Sequence, residues 1–132
     1  MARGEADVGF RAGGNISAAH QRAVRISGEF QVNVITNGNG QVPMGILQND
    51  PTASGQGATV RMSGVSRAEL GGSVSAAGPL SIDNSGRLIA AAWESPIGTA
   101  DLYVFAWALE DGAISEVIDV WITGAPVPGS LE

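Results

Sequence analysis

Apolar and polar residues alternate along much of this chain. Val24, Ile26, Phe30, Val32 and Val34 share one parity, and Arg25, Ser27, Glu29, Gln31 and Asn33 take the other. Period two means a strand with one buried and one wet face, so strand structure with all five apolar residues inward is predicted here, with Gly28 marking a bulge or tight bend. Val60, Met62, Ala68 and Leu70 repeat the pattern across "ATVRMSGVSRAEL", with Gly64 as a second bulge candidate. Met44 to Leu47 is a short run predicted to be buried. "LYVFAWALE" is apolar on both faces, as a central strand must be. Further strands are predicted at Leu80–Ile82, Leu88–Ala92 and "ISEVIDVWIT".

The breaks between these runs have local physical causes. "TNGNGQ" carries two Asn-Gly pairs, and both residue types tolerate positive φ, which makes it a turn. In "NDPTASGQG" Pro51 pushes Asp50 out of the helical region and offers no amide donor, so a loop is predicted. "DNSG" and "EDGA" are turns as well. A short helix is expected in "ISAAHQRA" or between Trp93 and Asp101. Residues 1–15 read as an extended arm, 16–123 as a β-rich domain and 124–132 as a tail. About seven or eight short strands joined by turns favour a single mainly β domain, a sandwich or barrel.

Composition narrows the functions open to such a domain. The chain has 132 residues, enough to bury a real core without metals or disulfides, and no cysteine. Seven Arg, no Lys and thirteen acids leave a net charge of −6, which argues against a nucleic-acid partner, since phosphate binding needs clustered cations. No apolar run approaches the roughly 20 residues of a membrane helix, so no membrane partner is expected. "MARGEADVGF" lacks the apolar core of a signal peptide, so synthesis in the cytoplasm is expected.

Candidate chemistry is sparse. His20 is the only histidine and lies in a polar segment near the terminus. "GVSRA" is a near miss for the Gly-x-Ser-x-Gly elbow, but that elbow needs a strand-to-helix turn and Ser66 lies inside a strand pattern. "GQGATV" precedes a strand instead of opening a helix, so it fails as a dinucleotide fingerprint. Glu110, Asp111, Glu116 and Asp119 are grouped in sequence as hard-cation ligands would be, yet they read more simply as a solvated hairpin end. Asp83 in "SIDNSG" reads as a turn residue. "NIS" at Asn15 to Ser17 fits a glycosylation sequon that, without a signal peptide, is never seen by the machinery. No catalytic site, cofactor or metal is expected. The aromatics keep a second class open. Tyr103, Phe105 and Trp107 share a parity, so one strand face is aromatic, either as packing or as an outward sugar-binding platform. Trp93, Trp107 and Trp121 recur every 14 residues, but their surroundings do not repeat and the spacing reads as chance.

One long ordered series of signals goes further. "GILQN" at Gly45–Asn49, a Pro and small-residue loop, "ATVRMSGVS" at Ala58–Ser66, "VSAAGPL" at Val74–Leu80 and "DNSGRLIA" at Asp83–Ala90 resemble a family of tailed-phage capsid decoration (cement) proteins. "SAAHQRAVRI" and "ALEDGAISEVIDVWI" resemble its flanks, so the likeness spans roughly residues 12–123. Residues 1–11, "SPIGTAD" and the tail depart from the pattern. The resemblance implies a sandwich or β-tulip-like fold and a homotrimer. It implies a place on the capsid exterior at three-fold and quasi-three-fold positions, with the major capsid protein as partner. A protein of this kind acts by binding and not as an enzyme. The runner-up is a carbohydrate- or surface-binding module of a virion. Arg3, Val8, Phe10 and Arg11 in the arm, with Pro126 and Val127 in the tail, are the candidate capsid or intersubunit contacts.

Overall fold

Five strands close into a barrel because the first of them returns to the last. A computed structural model describes residues 6–37, 41–91 and 103–128, with the backbone alone at residues 6, 103 and 123–128. Strands β1 (Ala6–Ala12), β2 (Ala23–Gly28), β3 (Gln31–Val34), β4 (Gly45–Leu47) and β5 (Gly57–Glu69) are arranged β1-β3-β2-β4-β5. Strand β1 pairs antiparallel with β5 from Ala6↔Ser63 to Arg11↔Gly57, and parallel with β3 at Arg11↔Gln31 and Ala12↔Val32. The second pairing closes the ring. Ala12, Ile16, Ala19, Val24, Val32, Leu47, Ala58 and Val60 fill its interior. A single 3-10 turn, Ser17–Ala19, plugs one end, opened by Asn15 Oδ1 accepting from the Ser17 N–H at 3.1 Å.

Strand β5 is 13 residues long because it serves two sheets. Up to Ser63 it pairs with β1; from Gly64↔Ile122 to Glu69↔Val117 it pairs with β9. Gly64 sits at the change of partner with φ +97, a conformation open to glycine and strained for other residues. The second sheet runs β5-β9-β8-β6-β7, with β6 at Pro79–Ile82, β7 at Leu88–Ala90, β8 at Tyr103–Ala108 and β9 at Val117–Pro128. It curls back on itself: Leu70 bridges Leu88 in parallel, and the Gly71 N–H donates to Leu88 O at 2.8 Å. Leu70, Leu80, Leu88, Phe105, Val120 and Ile122 form its core.

The two cores share a wall. Val24 and Leu47 face the first core, while their neighbours Ala23 and Ile46 face the second. That is why β4 is buried at every residue and could not alternate in sequence. Along β5 and into the residue that follows it the even residues stay inward, Ala58 and Val60 to the first core and Ala68 and Leu70 to the second. At Gly45 a side chain would collide with the Arg61 carbonyl oxygen and Val60 Cγ1, so β4 lies closer to β5 than any Cβ allows.

The structure departs from the sequence pattern in three places. Residues 24–34 form a hairpin, with the register shifting between Ile26 and Gly28, and Glu29 and Phe30 make its tip. Val24 and Val32 are buried as their parity demands, but Ile26 is 48% and Phe30 70% exposed, because the turn lifts them past the barrel rim. The arm read at residues 1–15 contains β1, a barrel stave, and the tail read from 124 continues β9 as far as Pro128. The short helix sought in "ISAAHQRA" is the single 3-10 turn; the alternative, Trp93 to Asp101, lies outside the described residues.

Candidate binding surface

The polar groups that might have carried chemistry are committed to holding the fold. Ser66 is buried, its Oγ accepting from Gln48 Nε2 at 3.0 Å and donating to Arg67 O at 3.0 Å. It sits within β5, with no histidine beside it, and His20 is exposed on the far side of the 3-10 turn. The acidic hairpin end is spent on backbone donors. Asp111 Oδ1 accepts from the Ala76 N–H, Glu116 Oε1 from the Ala113 N–H, and Glu110 Oε2 from the Asp119 N–H, each within 2.8–2.9 Å. Among the described residues no three His, Cys, Asp or Glu side chains converge as metal ligands would. Asp83 Oδ1 accepts from the Ser85 and Arg87 N–H groups, which makes the expected turn.

Two ion-pair groups rivet the strands. Arg22 lies 2.9 Å from Glu69, Glu69 also approaches Arg87, and Arg87 pairs with Asp83 at 3.3 Å, all about one quarter exposed. This chain ties the entry of β2 to the end of β5 and to the β6–β7 turn, across the shared wall. The second group is bidentate. Arg61 donates to both oxygens of Asp7, at 2.7 and 3.0 Å, and to the Val65 carbonyl at 2.9 Å. The hydrogen bond from Arg61, opposed by partial burial and aided by its charge, holds the Asp7 carboxyl below its ordinary value.

The candidate contacts fall on separate sheets. Val8 is opposite Val60 at the barrel mouth and 37% exposed. Phe10 packs against the first core. Arg11 is exposed; its guanidinium donates to Glu29 O and its backbone N–H to Phe30 O, both at 2.7 Å, so it braces the hairpin tip. Pro126 and Val127 lie on β9, where Val127 pairs with Val104 of β8, and β1 pairs only with β3 and β5 among the described strands. Arg3 lies outside the described residues.

Two surfaces carry exposed large apolar residues, and parity alone did not find them. One is the Ile26–Phe30 tip, where Phe30 has φ +48, a strained value for an aromatic residue. The other is the outer face of the second sheet. Val65 pairs with Trp121, Trp121 with Trp107, and Trp107 with Pro79, a row across four strands. Trp121 is 50% and Val65 39% exposed, and Leu109 stands half-exposed beside them. Phe105, expected on the same aromatic face, is buried in the second core instead. The 14-residue interval from Trp107 to Trp121 therefore has a structural cause, because β8 and β9 are consecutive antiparallel strands and the two residues are partners. That symmetry about the intervening turn was the available signal.

No protein-family model matches the chain, and no curated protein matches it. Among solved structures, the fold is similar to that of the head fiber gp8.5 N base of bacteriophage phi29. The TM-score is 0.63 with 16% sequence identity, over 93% of this chain and 98% of that one. At this identity the likeness is one of fold. It extends over both sheets and not over a fragment of either.

Proposed function

We propose that this chain is a structural protein of a tailed-phage head. In this reading it is a decoration protein that binds the outside of the major capsid protein shell at three-fold and quasi-three-fold positions, as a homotrimer made in the host cytoplasm. It acts by binding alone. The observation that carries the reading is the shared fold with a phage head fiber base over nearly the whole length of both chains. The placement of the family-like motifs supports it. Gly45–Asn49 includes β4, Ala58–Ser66 is the crossing part of β5, and Asp83–Ala90 is the β6–β7 turn, held by the Arg22–Glu69–Arg87–Asp83 chain, together with β7. The first two segments help build the wall between the two cores, and the third is tied to it by the ion pairs. Their order in sequence serves rigidity, which a shell clamp needs and a reactive site does not. A trimer matches a three-fold site, and repetition over a shell lets a modest contact per subunit suffice through avidity.

Co-sedimentation with expanded heads tests the reading. Saturable binding is expected, together with a trimer mass by light scattering in solution or on the shell. Absence of binding to expanded heads of the cognate phage would refute it. Removing residues 1–12 cannot serve as the test of the arm, since β1 closes the barrel. Arg11→Ala and Val8→Ser, with removal of residues 1–5 alone, address Arg3, Val8 and Arg11 without deleting a stave. Substitutions at Pro126 and Val127 address the other end.

A further inference from the structure

We propose that the β2–β3 hairpin tip of one copy seats Phe30 in a hollow of a second copy, joining like subunits head to tail. Glu29 and Phe30 are the two turn residues, because Gly28 pairs directly with Gln31. The second turn position has positive φ, which suits glycine or asparagine, yet the chain places phenylalanine there, largely exposed. Ile26, also exposed, lies just below it on β2. The tip is braced from both strands. Arg11 donates from its guanidinium to Glu29 O and from its backbone to Phe30 O, and Gln31 Nε2 donates to Ser27 Oγ at 3.0 Å. Backbone strain held in place by such bonds is a property of preformed contact sites.

The hollow lies at the other end of the same hairpin. The 3-10 turn, the end of β3 and the β6–β7 turn enclose about 300 Å³. Ala19 and Ile35, both buried, line it with Val34, and Arg22, Thr36 and Ser85 give its polar part. An apolar cavity of about 150 Å³ already takes a benzene ring, so there is room for a phenyl group and a neighbouring aliphatic side chain. Phe30 cannot reach the hollow of its own chain. The extended strand β3, about 13 Å from end to end, separates it from Val34. The contact is therefore between copies and heterologous, and such contacts close into rings where the rotation allows. Charge favours the same pairing. Arg25 Nε donates to Val34 O at 3.0 Å, which puts a second arginine beside Arg22. With Arg87, three arginines face two carboxylates, Glu69 and Asp83, an excess of positive charge in a chain of net −6. Glu29, exposed, is the charge carried by the arriving tip, while Arg11 is bonded to the tip's backbone from β1. The inference supplies an interface for the homotrimer of the proposed function, and rests on that reading for closure into three. A buried phenylalanine contributes about 150–250 Å², far below the roughly 1,200 Å² of a stable interface. Association in solution is therefore weak, and repetition on a shell strengthens it.

The test is light scattering of the intact protein on a size-exclusion column from about 1 μM to about 1 mM, the range of weak association. The mass should rise with concentration above that of one chain. Phe30→Asn, which suits the positive φ, should keep the mass of one chain throughout. Ser85→Trp, which fills the hollow, should do the same, and Ala18→Trp replaces it if dilute thermal melts show a folding defect. An equal mixture of the tip and hollow variants should give dimers and nothing larger, because only one intact tip and one intact hollow remain between them. Glu29→Arg should weaken self-association at least fivefold at low ionic strength. The mass of one chain up to about 1 mM overturns the proposal. So does association that survives either variant, or a mixture that stays monomeric. Co-sedimentation with expanded heads separates this interface from the shell reading. Self-association without head binding refutes the shell reading alone, and head binding by a protein that never self-associates refutes the interface alone.

Discussion

The shared wall between the two cores makes a quantitative prediction about cooperativity. Val60 is fully buried in the first core, and Trp107 and Trp121 report from the second sheet. Val60→Ala removes two methyl groups, about 1.6 kcal/mol of transfer free energy at about 0.8 kcal/mol per carbon. A residual cavity against Gly45 adds to this, for a total of about 2–3 kcal/mol. With a urea dependence of about 2 kcal/mol per molar, the midpoint should fall by about 1–1.5 M. If β2, β4 and β5 bind the halves into one unit, the tryptophan-detected midpoint must fall by that amount although the lesion lies in the other core. The same shift should appear in far-ultraviolet circular dichroism, and Leu70→Ala, fully buried in the second core, should give one coincident transition too. A Val60→Ala protein whose tryptophan transition stays in place, while circular dichroism shows an early loss, would refute the single-unit reasoning. It would mean that β5 hinges at Gly64 between independently stable halves.

Other outcomes can be checked alongside. Gly45→Ala should destabilise the protein by about 1–3 kcal/mol or more in chemical denaturation, because the new methyl meets backbone and not a movable side chain. Phe30→Asn should raise stability by about 0.5–1 kcal/mol in thermal melts by relieving the positive φ of an exposed residue; a fall would show that the ring is held by contacts at the tip. The Asp7 carboxyl is held below its ordinary value of 3.8 by Arg61, so its stabilising contribution is present above that value and is lost as pH falls through the depressed folded value. Asp7 is more than one third exposed, so the contribution is at most about 1 kcal/mol. The stability gap between the native protein and Asp7→Asn should be constant from neutral pH to about pH 5 and vanish in strong acid; a gap that widens on acidification would contradict the assignment.

Local signals were legible wherever the cause was local. The loop at 49–57 follows from Pro51 and its small-residue neighbours, the turn at 83–86 from the Asp83 carboxylate, and the inward set of β5 from pleat geometry. The reading of Ser66 as a strand serine also came from its immediate neighbours. The exposed Phe30 was misread because parity counts residues and cannot see a turn that begins at Gly28 without an Asn-Gly or Asp-Gly pair. The tryptophan row was missed because a face is assembled from four strands, and no single strand displays it.

By itself the amino-acid sequence determined a mainly β chain of short strands, the places where it turns, and a residue set with little reactive chemistry. Only the tertiary structure decided that residues 6–12 are a barrel stave, that β5 belongs to two sheets, and that Trp107 faces Trp121. The physical reason lies in the range of the forces. Alternation and turns arise from φ and ψ preferences within a few residues. Pairing and register depend on partners such as Asp7 and Arg61, which stand 54 residues apart and meet only when the barrel closes.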